Sequence, residues 1–108
     1  MPSSFLHDMF LKQTNLQEKL GNDVNSQAFI NEMILCTVDE LMEALRETPW
    51  KSWKKNQELH TEKFKEEIID IWHFIINLSL ASGMGPQEVY DRFINKNKIN
   101  IKRQEDNY

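Results

Sequence analysis

Residues 62–82 read EKFKEEIIDIWHFIINLSLAS, and this stretch decides the fold class. It holds no Gly or Pro, and its apolar residues are too dense and too long for a strand. At about 100° per residue, Ile68, Ile69, Ile71, Trp72, Phe74, Ile75, Ile76 and Leu78 wrap most of a helical circumference. The pattern predicts a largely buried helix, capped by Thr61 and closed by Gly83-Met84-Gly85. One feature conflicts with burial. Glu67, Asp70, Phe74 and Asn77 follow at spacings of 3, 4 and 3 and form a single stripe. A buried carboxylate without a partner costs several kcal/mol, so it is paired, protonated or bound to a metal.

Outward from this helix the same period recurs. Residues 26–47 place Phe29, Ile30, Met33, Ile34, Val38, Leu41 and Leu45 on one side, and Thr48-Pro49 ends the segment. Residues 4–20 carry Phe5, Leu6, Met9, Phe10, Leu16 and Leu20, with Ser3 or Ser4 as cap and Gly21 as stop. Pro86 suits the first turn of a fourth segment running to about residue 103. The expected architecture is all-α: a four-helix, bundle-type single domain over residues 1–108. A chain this short leaves apolar faces uncovered, so it is expected to assemble with a second copy as a homodimer or homotetramer.

Composition narrows the function classes. Thirteen Lys and Arg against seventeen Asp and Glu give a net charge of −4, which speaks against a general nucleic-acid binder. One cysteine, Cys36, excludes an intramolecular disulfide framework and fits a reducing compartment. No stretch reaches the roughly 18 uninterrupted apolar residues of a membrane span, and the N-terminus lacks a secretory pattern. The expectation is a small soluble cytoplasmic protein without membrane or nucleic-acid partners.

Two acidic pairs stand out: Glu40-x-x-Glu43 in the second segment and Glu67-x-x-Asp70 in the third. Spacing of i, i+3 points both carboxylates of a pair the same way. If the two helices pack antiparallel, all four converge. Four oxygen donors without thiolate or matched histidine suit a hard cation, Mg²⁺ before Zn²⁺, with Mn²⁺ as a possible substitute. Mg²⁺ commonly shares its shell with substrate phosphates, which makes a nucleotide polyphosphate the natural ligand. Such pairs also occur on solvated helix faces, and that reading stays open.

The fourth segment carries Lys96, Asn100 and Arg103 on one face, a donor set for phosphate oxygens or, equally, a cation-rich helix end. Tyr108 closes the chain. Trp50 and Trp53, in a link of about a dozen residues, either cover the core or wall a pocket beside a planar base. Gln13 reads a base edge or sits at a boundary. His73 has no His or Cys partner at ligand spacing and reads as a hydrogen-bonded structural residue.

Together these residues resemble the all-α nucleoside triphosphate pyrophosphohydrolases, and most closely the dimeric, α-helical dUTPase branch related to MazG-like enzymes. The resemblance rests on the two acidic pairs, 23 residues apart from Ala44 to Glu66, and on the Glu47-Thr48-Pro49-Trp50-Lys51-Ser52-Trp53 run. It also rests on Asp70-Ile71-Trp72-His73-Phe74, the Lys96-Asn97-x-x-Asn100-x-x-Arg103-Gln104 tail, and Gln13 followed by Leu16. It implies Mg²⁺-dependent hydrolysis of dUTP to dUMP and pyrophosphate. Glu40, Glu43, Glu67 and Asp70 would hold metal, with Glu40 or Glu43 activating the attacking water. Lys96, Asn100, Arg103 and Tyr108 would clamp phosphates, and Gln13, Trp53, Phe74 and Asn77 would form the base and sugar pocket. A MazG-like enzyme acting on dCTP or a modified nucleotide is the alternative, and a non-enzymatic helical interaction module is a second one.

Overall fold

The computed structural model describes residues 4–106. Four helices account for the regular structure among them: α1 (Phe5–Leu20), α2 (Gln27–Arg46), α3 (Thr61–Ala81) and α4 (Pro86–Glu105). The ends follow side-chain chemistry. Ser4 Oγ accepts from the His7 amide at 3.0 Å and Ser26 Oγ from the Phe29 amide at 3.1 Å, so each serine satisfies an otherwise orphaned helix donor. Gly21, at φ 74°, takes the left-handed conformation that ends α1 and returns its amide to the Gln17 and Glu18 carbonyls. Pro86 opens α4 behind the extended Gly85.

α3 begins one residue earlier than Thr61 capping requires. His60 is the cap residue and gives no side-chain cap bond, because the His60 amide donates to the Glu47 carbonyl at 2.9 Å and its ring engages the Glu47 side chain. The chain thus enters α3 from a contact with the end of α2.

α2 and α3 form the principal helix pair, and they run antiparallel. Three cross-contacts give the register: the Asn77 amide against Met33 Sδ, the Glu40 carboxyl against Glu67, and His60 against Glu47. α1 lies on α3, and α4 makes its main contacts with α1. The enclosed core is small: Phe10, Phe29, Ala44 and Ile76, with the buried polar residues Gln13, Gln17, Thr37 and Asn77.

One expectation fails here. α3 is not largely buried: Ile69, Trp72 and Ile75 are exposed, because this chain covers only the faces that meet α1 and α2. Of the two readings open for the tryptophans, the core-covering one is not what the structure shows. Trp53 is 73% exposed, and its ring meets Trp50 edge to face at 5.8 Å in a loop that packs on itself. α4 turns from α3 by 102° and has no buried residue. The Cα radius of gyration is accordingly 17.2 Å, against about 13 Å for a compact domain of this length. Among the described residues no single helix is long and apolar enough to cross a membrane.

Candidate metal centre

The antiparallel register sets the acidic pairs opposite one another. Glu40 and Glu43 lie one turn apart on α2; Glu67 and Asp70 lie one turn apart on α3. One carboxylate oxygen from each of Glu40, Glu67 and Asp70 falls within 4.8 Å of the others. Glu43 is outside that trio but within hydrogen-bonding reach of Glu40. Glu40, Glu43 and Glu67 are half-buried and Asp70 is exposed, so the cluster opens at one side.

Its electrostatics are those of a site short of positive charge. Glu40 Oε2 and Glu67 Oε2 are buried and meet no donor. Contact with the Glu67 carboxyl, then burial, then the neighbouring Glu43 push the Glu40 carboxyl up to about 8. Adjacent carboxylates in a partly dry seam cannot all be charged unless a proton or a cation sits between them. The donors are oxygen only, from three or four carboxylates, with one side open for water or substrate. That set could hold a hard divalent cation and fits one better than it fits Zn²⁺. Cys36 stands nearby on α2, its thiol raised by burial and by Glu32, Asp39 and Glu40, which leaves it the inert thiol form.

Beside the cluster, α3 continues through half-buried Phe74 to buried Asn77. The Gln13 Nε2 group donates to Asn77 Oδ1 at 2.8 Å and Gln17 Nε2 to the same oxygen at 3.5 Å, while Asn22 Nδ2 donates to Gln17 Oε1 at 2.7 Å. Gln13 and Asn77 are therefore brought together, as a buried amide tie between α1 and α3. Gln17 was not among the candidate site residues. Its signal was its position one helical turn after Gln13. Gln13 also lines an apolar groove of about 520 Å³ between α1 and α3, with Met9, Trp72, His73 and Ile76 among its walls. His73 Nδ1 sits 2.9 Å from the Ile69 carbonyl oxygen, the hydrogen-bonded structural role expected for it.

The Trp50–Trp53 loop is held at its neck by Glu47 and His60, whose side chains meet at 2.9 Å. Inside it, the Gln57 amide donates to the Lys51 and Lys54 carbonyls at 2.5 and 2.7 Å, and Asn56 takes φ 62°. A compact loop with joined ends is the result. Glu47 and His60 were not singled out as a pair. The only sequence signal was an acid and a histidine at the two ends of a basic, aromatic link. Lys96, Asn100 and Arg103 lie on exposed α4, away from the helix pair that bears the acids, and Tyr108 lies outside the described residues.

The sequence model of a family described as dUTPase matches residues 5–87. The chain belongs to that dUTPase family. It is a MazG-like family of all-α nucleoside triphosphate pyrophosphohydrolases, and the match covers both acidic pairs, the tryptophan loop and the amide tie. The α4 residues Lys96, Asn100 and Arg103 lie beyond it. Among curated proteins, the dCTP pyrophosphatase of Enterobacteria phage T4 is 32% identical over 71 residues, covering 55% of this chain and 42% of that protein. The dCTP pyrophosphatase of Enterobacteria phage LZ5 is 32% identical over 71 residues, covering 55% and 41%. A DNA replication protein of phage T4 is 31% identical over 67 residues, covering 49% of this chain and 17% of that protein. The chain thus spans about two fifths of the length of the dCTP pyrophosphatases it matches. No solved structure matches it significantly.

Proposed function

We propose that this chain hydrolyses a pyrimidine deoxynucleoside triphosphate to the monophosphate and pyrophosphate, with Mg²⁺ held by Glu40, Glu43, Glu67 and Asp70, and that it acts as an assembly of two or four copies. The observation that carries the reading is the meeting of Glu40, Glu67 and Asp70 within 4.8 Å, with two buried carboxylate oxygens left without donors. Solvated acidic pairs, as a helical interaction module would have, do not need to converge across two helices.

A bound divalent cation would neutralise the triphosphate and polarise the phosphoryl oxygens. Glu40 or Glu43 orients and deprotonates the water that attacks phosphorus in line. Within one chain Lys96, Asn100 and Arg103 lie on α4 away from the acids, so in this reading they, with Tyr108, grip the departing pyrophosphate at the cluster of another copy in the assembly, through charge-assisted hydrogen bonds. Gln13, Phe74, Asn77 and Trp53 surround base and sugar. Asn77 holds Gln13 in place at 2.8 Å, so the amide is already oriented before a base arrives.

Two bases compete. The family description favours dUTP, and the names of the phage relatives favour dCTP. The test is pyrophosphate release from dUTP, dCTP and other triphosphates at one concentration with Mg²⁺. A site that hydrogen-bonds the base should prefer one pyrimidine over the other by orders of magnitude. Turnover of none of them would end the proposal.

A further inference from the structure

Among the described residues the enclosed core holds as many polar side chains as apolar ones: Gln13, Gln17, Thr37 and Asn77 beside Phe10, Phe29, Ala44 and Ile76. Three of these are amides. With the exposed Asn22 they form one chain of hydrogen bonds, running from solvent to Met33 on α2. Stability does not call for it. Exchanging such a set for apolar groups of equal shape is often neutral or favourable. Orientation is what the amides supply and an apolar core would not.

An amide side chain is ambivalent, because half a turn exchanges its donor for its acceptor with almost no change of shape. One end of this chain removes the ambiguity. The Met33 thioether accepts weakly and has no hydrogen to give, so the end of Asn77 that faces it, at 3.5 Å, must be Nδ2. Asn77 Oδ1 is thereby turned to α1. There it accepts from Gln13 Nε2 at 2.8 Å and, over a longer 3.5 Å, from Gln17 Nε2. Gln17 then shows Oε1 to the end of α1, where Asn22 Nδ2 donates to it at 2.7 Å. The backbone fixes Asn22 in that place. Past the left-handed Gly21, the Asn22 amide donates to the Gln17 carbonyl at 3.1 Å. With Nε2 turned inward to Asn77, the end of Gln13 left to a ligand is the carbonyl oxygen Oε1.

Pyrimidines differ in this same respect. Uracil has an N–H at N3 where cytosine has a bare nitrogen, and a carbonyl oxygen at C4 where cytosine has an amino group. Wherever Gln13 meets that edge, its oxygen accepts from one base and opposes a lone pair of the other. We propose that Gln17, Asn22 and Met33 are positioning residues that lock the polarity of Gln13 and so decide which pyrimidine triphosphate the site accepts. The inference rests on the reading that Gln13 meets the base and adds the residues that set its sense.

Asn22→Asp is the sharpest test, because Asn22 is exposed and the two side chains share a shape. A carboxylate cannot donate, so Gln17 turns Nε2 outward to it and Oε1 towards Asn77, and the reversal passes on to Gln13. The ratio of kcat/KM for dUTP and dCTP should shift by about tenfold or more, with an absolute gain for the base that the native chain disfavours. A damaged fold lowers both bases and yields no such gain. Met33→Leu keeps the packing and removes the sulfur, and should narrow the ratio without inverting it. Asn25→Asp adds the same charge outside the amide chain and should leave the ratio unchanged. Dissociation constants for dUMP and dCMP, by calorimetry, read the preference independently of turnover. A preference that Asn22→Asp and Met33→Leu leave untouched, or equal loss on both bases, overturns the lock and leaves hydrolysis standing. A preference that shifts in binding, in a chain that hydrolyses neither triphosphate, supports the lock and ends the hydrolytic reading. A chain that neither binds nor hydrolyses these nucleotides overturns both.

Discussion

The α2–α3 seam and the α4 arm both carry charged residues at helical spacing, and both read from sequence as ligand-binding faces. Their fates differ. The seam folds its acids against each other, so that Glu40 is pushed up to about 8 and two oxygens lack donors. The arm leaves Lys96 and Asn100 in solvent on a helix with no buried residue. Helical spacing puts side chains on one face. Only packing against another element takes them out of water, and only there do charges acquire energies large enough to demand a ligand.

That contrast can be broken experimentally, most forcefully at the seam. Glu67→Gln should lower pyrophosphate release by about a hundredfold or more, since a metal ligand supplies several kcal/mol of transition-state stabilisation. The metal-free melting temperature should hold or rise, because a crowded charge is gone. A variant with normal turnover would remove the seam from the chemistry.

The seam should also respond to pH, and the arm should not. The Glu40 carboxyl is raised from 4.5 to about 8, so the folded state holds its proton more tightly than the unfolded chain does. This contribution to stability is full below about pH 4.5 and is lost as pH rises through about 8. Without divalent cation, the melting temperature should therefore fall across that window. Mg²⁺ should restore it most at the alkaline end, where the carboxylates are free to bind it. Thermal scans with EDTA and with Mg²⁺ read both effects, and a flat, Mg²⁺-independent profile would contradict them.

Gln13→Ala tests the tie between α1 and α3. It strips Asn77 Oδ1 of its 2.8 Å donor in a buried place and should cost about 1–3 kcal/mol in urea denaturation. If Gln13 also reads the base, discrimination between dUTP and dCTP should narrow in the same variant. At the arm, Lys96→Ala should raise KM for the triphosphate about tenfold, the worth of one charge-assisted contact, with no change in melting temperature. The smallest effect belongs to the loop neck. His60→Ala removes a contact exposed on the histidine side and should cost under about 1 kcal/mol, read as a rise in tryptophan mobility by fluorescence anisotropy.

Local signals carried most of the secondary structure. Ser4, Ser26, Gly21, Pro49 and Pro86 each act through their own backbone or hydroxyl chemistry, within a turn of where they stand. Where such a residue was absent, at the start of α3, the boundary came from Glu47, 13 residues away, and Thr61 was misread as the cap. The acidic pairs were legible because i, i+3 spacing fixes their common direction whatever the helix packs on. The amide tie was half legible: Gln13 and Asn77 stood out, but their partners were each other.

The sequence by itself therefore determined four helices, the faces on which their charges sit, and the chemical type of a cluster that could hold a divalent cation. Those follow from interactions that span at most one helical turn. Tertiary structure alone decided that α2 and α3 run antiparallel with Glu40 against Glu67, that the tryptophan loop packs on itself, and that α4 leaves the core. Each of those depends on which apolar face finds cover over distances of tens of residues. Periodicity shows that a face is apolar but not what will bury it.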